Sequence, residues 1–111
     1  MKTGNLFGQI PTELPEELFQ LLAVGEGARV ERIVSKGHAS PPDDWYDQPE
    51  NEWVMVVRGE AKLRFEKDDR VVHLHAGDYV NIEAHERHRV EWTRDDIETV
   101  WLAVFYQESG G

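Results

Sequence analysis

The sequence predicts an all-β protein, an antiparallel jelly-roll barrel or sandwich with one short helix near its N-terminus. From Arg29 to Tyr106, apolar and polar residues alternate with period two. The alternating runs are short, and turn-forming clusters at Lys67-Asp68-Asp69, Ala76-Gly77-Asp78 and Arg94-Asp95-Asp96 separate them. Ahead of them, Leu14, Leu18, Leu21 and Leu22 fall at helical spacing.

Thr12 and Pro15 are start signals for the helix, which ends near Gly25 and is expected to cover an open end or face of the barrel. The strands then follow in order: RVERIVS from Arg29; WVMVVRGEAKLRFE, broken by a turn at Gly59-Glu60; RVVHLHAGDYVNIEA, broken around Gly77; HRVEWT; and TVWLAVFY. SPPDD at residues 40–44 is a loop. The expected organisation is an N-terminal extension with the helix over residues 1–28, one barrel over 29–106, and a frayed tail over 107–111.

Composition narrows the function. The chain has 111 residues, of which 40% are hydrophobic, enough for one core. It has no cysteine, which excludes disulfides, thiolate metal sites and cysteine nucleophiles. A formal net charge of -10 repels phosphate backbones and anionic lipid, so neither nucleic acid nor a membrane is an expected partner. No apolar stretch reaches the length of a membrane span or a leader's apolar segment, and a cytoplasmic location is the expectation. There is no nucleophile elbow, phosphate-binding glycine loop or dinucleotide fingerprint.

Two blocks carry the functional signal. In WYDQPENEWVMVVRG, Glu52 is followed by Gly59 after six intervening residues; in GDYVNIEAHERH, Gly77 leads to His88. Alternation puts Glu52, Val54 and Val56 on one strand face, and His88, Val90 and Trp92 on another. Where these faces turn inward, Glu52 and His88 face each other across a cavity, with Trp45, Val54, Val56 and Trp92 as its expected ligand-pocket lining. Trp53 and Trp101 lie in apolar strands and suit core or interface positions.

These blocks resemble the two signature motifs of the cupin family. The first motif runs His-x-His, three or four residues, Glu, six residues, Gly. Counting back from Glu52 puts Trp45 and Asp47 at the histidine positions. The second motif fits at Gly77 and His88, with Glu83 and His85 in place of a proline and a glycine. The resemblance implies a jelly-roll barrel, a small-molecule ligand and pairing into homodimers, for which the apolar run VWLAVFY could lie at an edge or interface. It also implies a divalent metal held by Asp47, Glu52 and His88, a donor set that suits Fe, Mn, Ni or Zn. On that reading the protein is a metal-dependent oxygenase, isomerase or lyase, in which Glu52 could also move a proton. The alternative is a binding or regulatory module that has lost its metal and keeps Glu52 and His88 as a hydrogen-bonded pair.

Gln48 could add an amide oxygen, although alternation aims it away from Asp47 unless the loop bends. His73 and His75 flank Leu74 and are expected to face solvent. His85 reads as an exposed loop residue, and either it or His38 could replace the missing histidine if its loop turned inward.

Overall fold

The structure, a computed structural model, describes residues 1–108. Eight antiparallel strands form it: β1 Leu18–Gly25, β2 Ala28–Ser35, β3 Asn51–Arg58, β4 Glu60–Phe65, β5 Arg70–His75, β6 Tyr79–Ile82, β7 His88–Thr93 and β8 Thr99–Tyr106. One sheet has the order β1-β2-β8-β3-β6 and the other β5-β4-β7. Their inward residues meet in one core, with Ile33, Val54 and Trp101 from the larger sheet packed against Leu63, Leu74 and Val90 from the smaller. The all-β expectation and the strands from residue 29 onward therefore hold. The part of the expected tail beyond residue 108 lies outside the described residues.

The N-terminal helix does not form: the described residues contain no α-helix, and Leu18–Gly25 is strand β1. Leu18 pairs with Val34 and Gly25 with Ala28, so β1 and β2 make a hairpin closed by Glu26-Gly27, where Gly27 has φ 75°. The apolar run LFQLLAV satisfies a helical period, but the open edge of β2 offers it a ladder of backbone hydrogen bonds, and tertiary pairing overrides local propensity. A register shift between Leu21 and Ala23 breaks the strict alternation that would have signalled a strand.

The run VWLAVFY is likewise not at an edge. It forms β8, which pairs with β2 on one side and β3 on the other. The edges of the larger sheet are β1 and β6.

Arg32 is 4% exposed and gathers the N-terminal segment. Its guanidinium donates to the carbonyls of Leu6 and Gly8, at 2.9 and 2.6 Å, and to the Gln20 amide oxygen. The loop between β2 and β3 closes the free edge of β7: Gly37 N donates to the Arg94 carbonyl, Ser40 N to that of Val90, and Tyr46 exchanges both backbone bonds with His88. This strap brings residues 46–48 over the end of the barrel where Glu52 and His88 stand.

Candidate functional site

Between the sheets lies a cavity of about 80 Å³. Val54, Ile33, Trp101 and Phe105 form its wall on the larger sheet, and Leu63 and Val90 form the opposite wall. Its polar groups are few: Glu17, Tyr46, Gln48, Glu52 and His88.

Glu52 and His88 form the buried polar centre, at 7% and 4% exposure. Each is placed by strand alternation, Glu52 beside Val54 on β3 and His88 beside Val90 on β7. The His88 Nδ1 lies 2.8 Å from the Glu86 carbonyl, which can only accept, so Nδ1 carries a hydrogen. Its Nε2 therefore faces inward, 3.6 Å from Glu52 Oε1. Burial works to lower the His88 pKa, but the Glu52 carboxylate and the Glu86 carbonyl more than reverse it, and the net shift is upward. Gln48 Nε2 donates to Glu52 Oε1 at 3.0 Å and holds the carboxylate in place.

Tyr46 stacks at a tilt on His88, with ring centroids 5.5 Å apart. Burial raises its pKa, with Glu17 adding to the effect and the Ser40 hydroxyl offsetting part of it, so the phenol stays protonated and can donate.

The structure joins Glu52, His88 and Val54 at the cavity, while the other expected site residues stand elsewhere. Asp47 turns to His85, with Oδ1 2.9 Å from Nδ1 and both side chains largely exposed. Trp45 lies under the Arg89 guanidinium, 5.2 Å from its ring, and does not line the cavity. Val56 shares the inward face of β3 but is fully buried in the core. Trp92 is turned out by a bulge: Lys62 pairs with Trp92 and Leu63 with Val90, so Glu91 is extra and the alternation of β7 changes phase there. His38 is held by the Lys36 amide and the Leu14 carbonyl, and neither it nor His85 enters the cavity.

Tyr46 and Gln48, which do line it, stand where the first motif's histidines fall if three residues rather than four precede Glu52. That shorter count was the available signal. Alternation back from Glu52 favours it as well, since residues 46, 48 and 52 share parity. Glu17 and Phe19 were hidden because their segment read as helix.

The fold, the inward Glu52 and the inward His88 point to one family, and residues 30–105 match the cupin domain. The chain belongs to the cupin family. Among solved structures, this cupin is 48% identical to a "putative mannose-6-phosphate isomerase" from Ralstonia eutropha JMP134, with a TM-score of 0.92, covering 96% of this chain and 99% of that one. An RmlC-like cupin from Desulfovibrio desulfuricans shares the fold at 16% identity, with a TM-score of 0.75 and 96% of each chain covered. The cupin domain of an XRE family transcriptional regulator from Enterobacter cloacae does so at 13% identity and a TM-score of 0.67, covering 84% of this chain and 98% of that one. No curated protein matches the chain.

Proposed function

We propose that this cupin binds a small, uncharged molecule in its barrel and that Glu52 and His88 exchange a proton with it. One observation carries the reading: a buried carboxylate and imidazole stand 3.6 Å apart in a largely apolar cavity, with Tyr46 lining it as a further hydrogen-bond donor. Gln48 orients the carboxylate, and the Glu86 carbonyl orients the imidazole. Such a pair suits proton transfer next to a carbonyl or hydroxyl group, the chemistry of an isomerisation.

The size and charge of the cavity limit the ligand. At about 80 Å³ it falls well below the roughly 300–1,000 Å³ of sites for drug-sized ligands. Its lining includes Glu17 and Glu52 but no lysine or arginine. A phosphorylated sugar, the substrate class printed for the Ralstonia relative, would meet carboxylates where its phosphate needs cations. A compact neutral hydroxycarbonyl compound is the better fit.

The donor set argues against a tightly held metal in the barrel. Glu52 and His88 supply two strong ligands, whereas catalytic sites of this kind use three. Asp47 would have to leave His85 and turn inward to become the third; Gln48 and Tyr46 offer only a neutral amide and a protonated phenol. Self-association belongs to the same reading, through edge strand β1 rather than β8.

The test is solvent deuterium exchange at the carbon acid of hydroxyacetone, followed by proton NMR, with mannose 6-phosphate alongside. Enzyme-dependent exchange in hydroxyacetone that disappears in Glu52→Gln is the expected result. Turnover of mannose 6-phosphate, or exchange that survives in Glu52→Gln, would overturn the proposal.

A further inference from the structure

The larger group of metal-ligating side chains lies on the outer face of the smaller sheet, away from the barrel cavity. His73 and His75 are two residues apart on β5 and so project from the same face, while Leu74 between them is 2% exposed in the core. Glu60 on β4 is the register partner of His75. The ligating atoms of these three residues lie within 4.8 Å of one another, and they are the group of three such donors that converges this closely among the described residues.

We infer that Glu60, His73 and His75 form a site for a divalent transition-metal ion, zinc being the physiological candidate. The two imidazoles already point at one carboxylate oxygen: Glu60 Oε2 is 2.5 Å from His73 Nε2 and 3.6 Å from His75 Nε2. Their rings lie side by side, with centroids 4.3 Å apart. Two imidazole nitrogens and one carboxylate oxygen are a sufficient protein donor set for zinc, which takes its fourth ligand from solvent. The side chains of His73 and His75 are 41% and 62% exposed, so an ion can enter and its remaining position stays open to water.

Adjacent antiparallel strands fix the three Cα positions, so little backbone ordering is needed on binding. The surroundings prepare the ligands as well. Asp78 Oδ2 lies 3.6 Å from His75 Nδ1 and accepts from the His75 amide at 2.8 Å, which places a carboxylate beside the nitrogen that does not face Glu60. Arg94 Nη1 stands 3.9 Å from the other Glu60 oxygen, on the side away from the two imidazoles' shared contact. Trp92, turned out by the β7 bulge, meets His73 edge-on at 6.3 Å and covers one side of the group. Bound metal would tie β4 to β5 through side chains as well as backbone.

Trp92 gives the experiment an internal reporter. Untagged protein stripped with chelator is titrated with zinc chloride by calorimetry, and with nickel or copper salts by tryptophan fluorescence quenching, the Trp92 part being that absent from Trp92→Phe. Expected are one zinc ion per chain, binding weakened at least about tenfold in His73→Ala and in His75→Ala, and quenching that falls with it. Glu52→Gln and His88→Gln should leave zinc affinity unchanged, since their side chains face the barrel. The inference is overturned if the wild type takes up no zinc, or if the His73→Ala/His75→Ala double variant binds it as tightly as the wild type. It is overturned equally if zinc binding is lost in Glu52→Gln or His88→Gln, which would put the ion in the barrel.

Discussion

At the residue scale, two histidines show how position sets role. His85 stands where the second motif keeps a glycine, and its φ of 63° lies in the left-handed region that glycine enters without cost. Its ion pair with Asp47 is exposed and contributes little. His85→Ala and His85→Gly both delete that pair, so the difference between them isolates the backbone. The alanine variant should be less stable than the glycine variant by about 1 kcal/mol, measured by urea denaturation. Equal stabilities would mean that the loop relaxes to another conformation. His88 differs because it is buried, and its pKa is raised against burial by Glu52 and the Glu86 carbonyl. A raised folded pKa means that the folded state holds the proton more tightly than the unfolded chain does. The stability this confers is complete below the unfolded value of roughly 6.5 and is lost as pH rises through the folded value. The stability advantage of the wild type over His88→Gln should therefore be larger at mildly acidic pH, just below the unfolded histidine value, than at alkaline pH. A difference that is flat or grows with pH would show that the proton on His88 does not couple to Glu52 as described.

At the element scale, the turns decide how strands pass between the sheets. Gly59 and Gly77 both have φ 94°, yet they differ in what surrounds them. A Cβ on Gly59 would stand 2.7 Å from Thr99 Cα and 2.5 Å from its Oγ1, whereas a Cβ on Gly77 would meet nothing within 4 Å. Gly59→Ala thus combines backbone strain with a steric clash, and should cost on the order of 3 kcal/mol; Gly77→Ala carries the strain alone and should cost about 1–2 kcal/mol. Comparable losses in thermal denaturation would refute the clash at Thr99. The strands from Arg29 onward were legible because each buries one face, which writes period two into the sequence. β1 was not, since Leu21, Leu22, Ala23 and Val24 are consecutive apolar residues on an edge strand with a register shift, and only the Gly25-Glu26-Gly27 turn marked the hairpin. The site was legible in part for the same reason. Glu52 and His88 lie on regular strand and motif spacing, whereas the bulge at Glu91 leaves no compositional trace and moved Trp92 to the opposite face. Tyr46 and Gln48 sit on a strap whose register comes from its bonds to β7, which are not local in sequence.

At the scale of the whole molecule, charge and exposed apolar surface pull in opposite directions. A net charge of -10 keeps copies of the chain apart at low ionic strength, but that repulsion is screened beyond roughly 8 Å in physiological salt. Edge strand β1, meanwhile, exposes Leu21, Leu22 and Val24 at 56%, 42% and 70%. Its outer edge is free of strand partners among the described residues. An open edge bearing aliphatic side chains, without the lysines that commonly protect such edges, favours pairing with another strand. A two-fold axis beside β1 would pair the edge with itself, join the two larger sheets and cover the same residues on both copies. β8 cannot serve this purpose, because both its edges are already bonded within the sheet. Sedimentation equilibrium should therefore show a reversible dimer that is stronger in 0.15 M salt than at low ionic strength. Leu21→Lys and Val24→Lys should each shift it toward monomer without changing the circular dichroism of the barrel. A monomer at every concentration and salt level, or a dimer indifferent to both substitutions, would remove β1 as the contact.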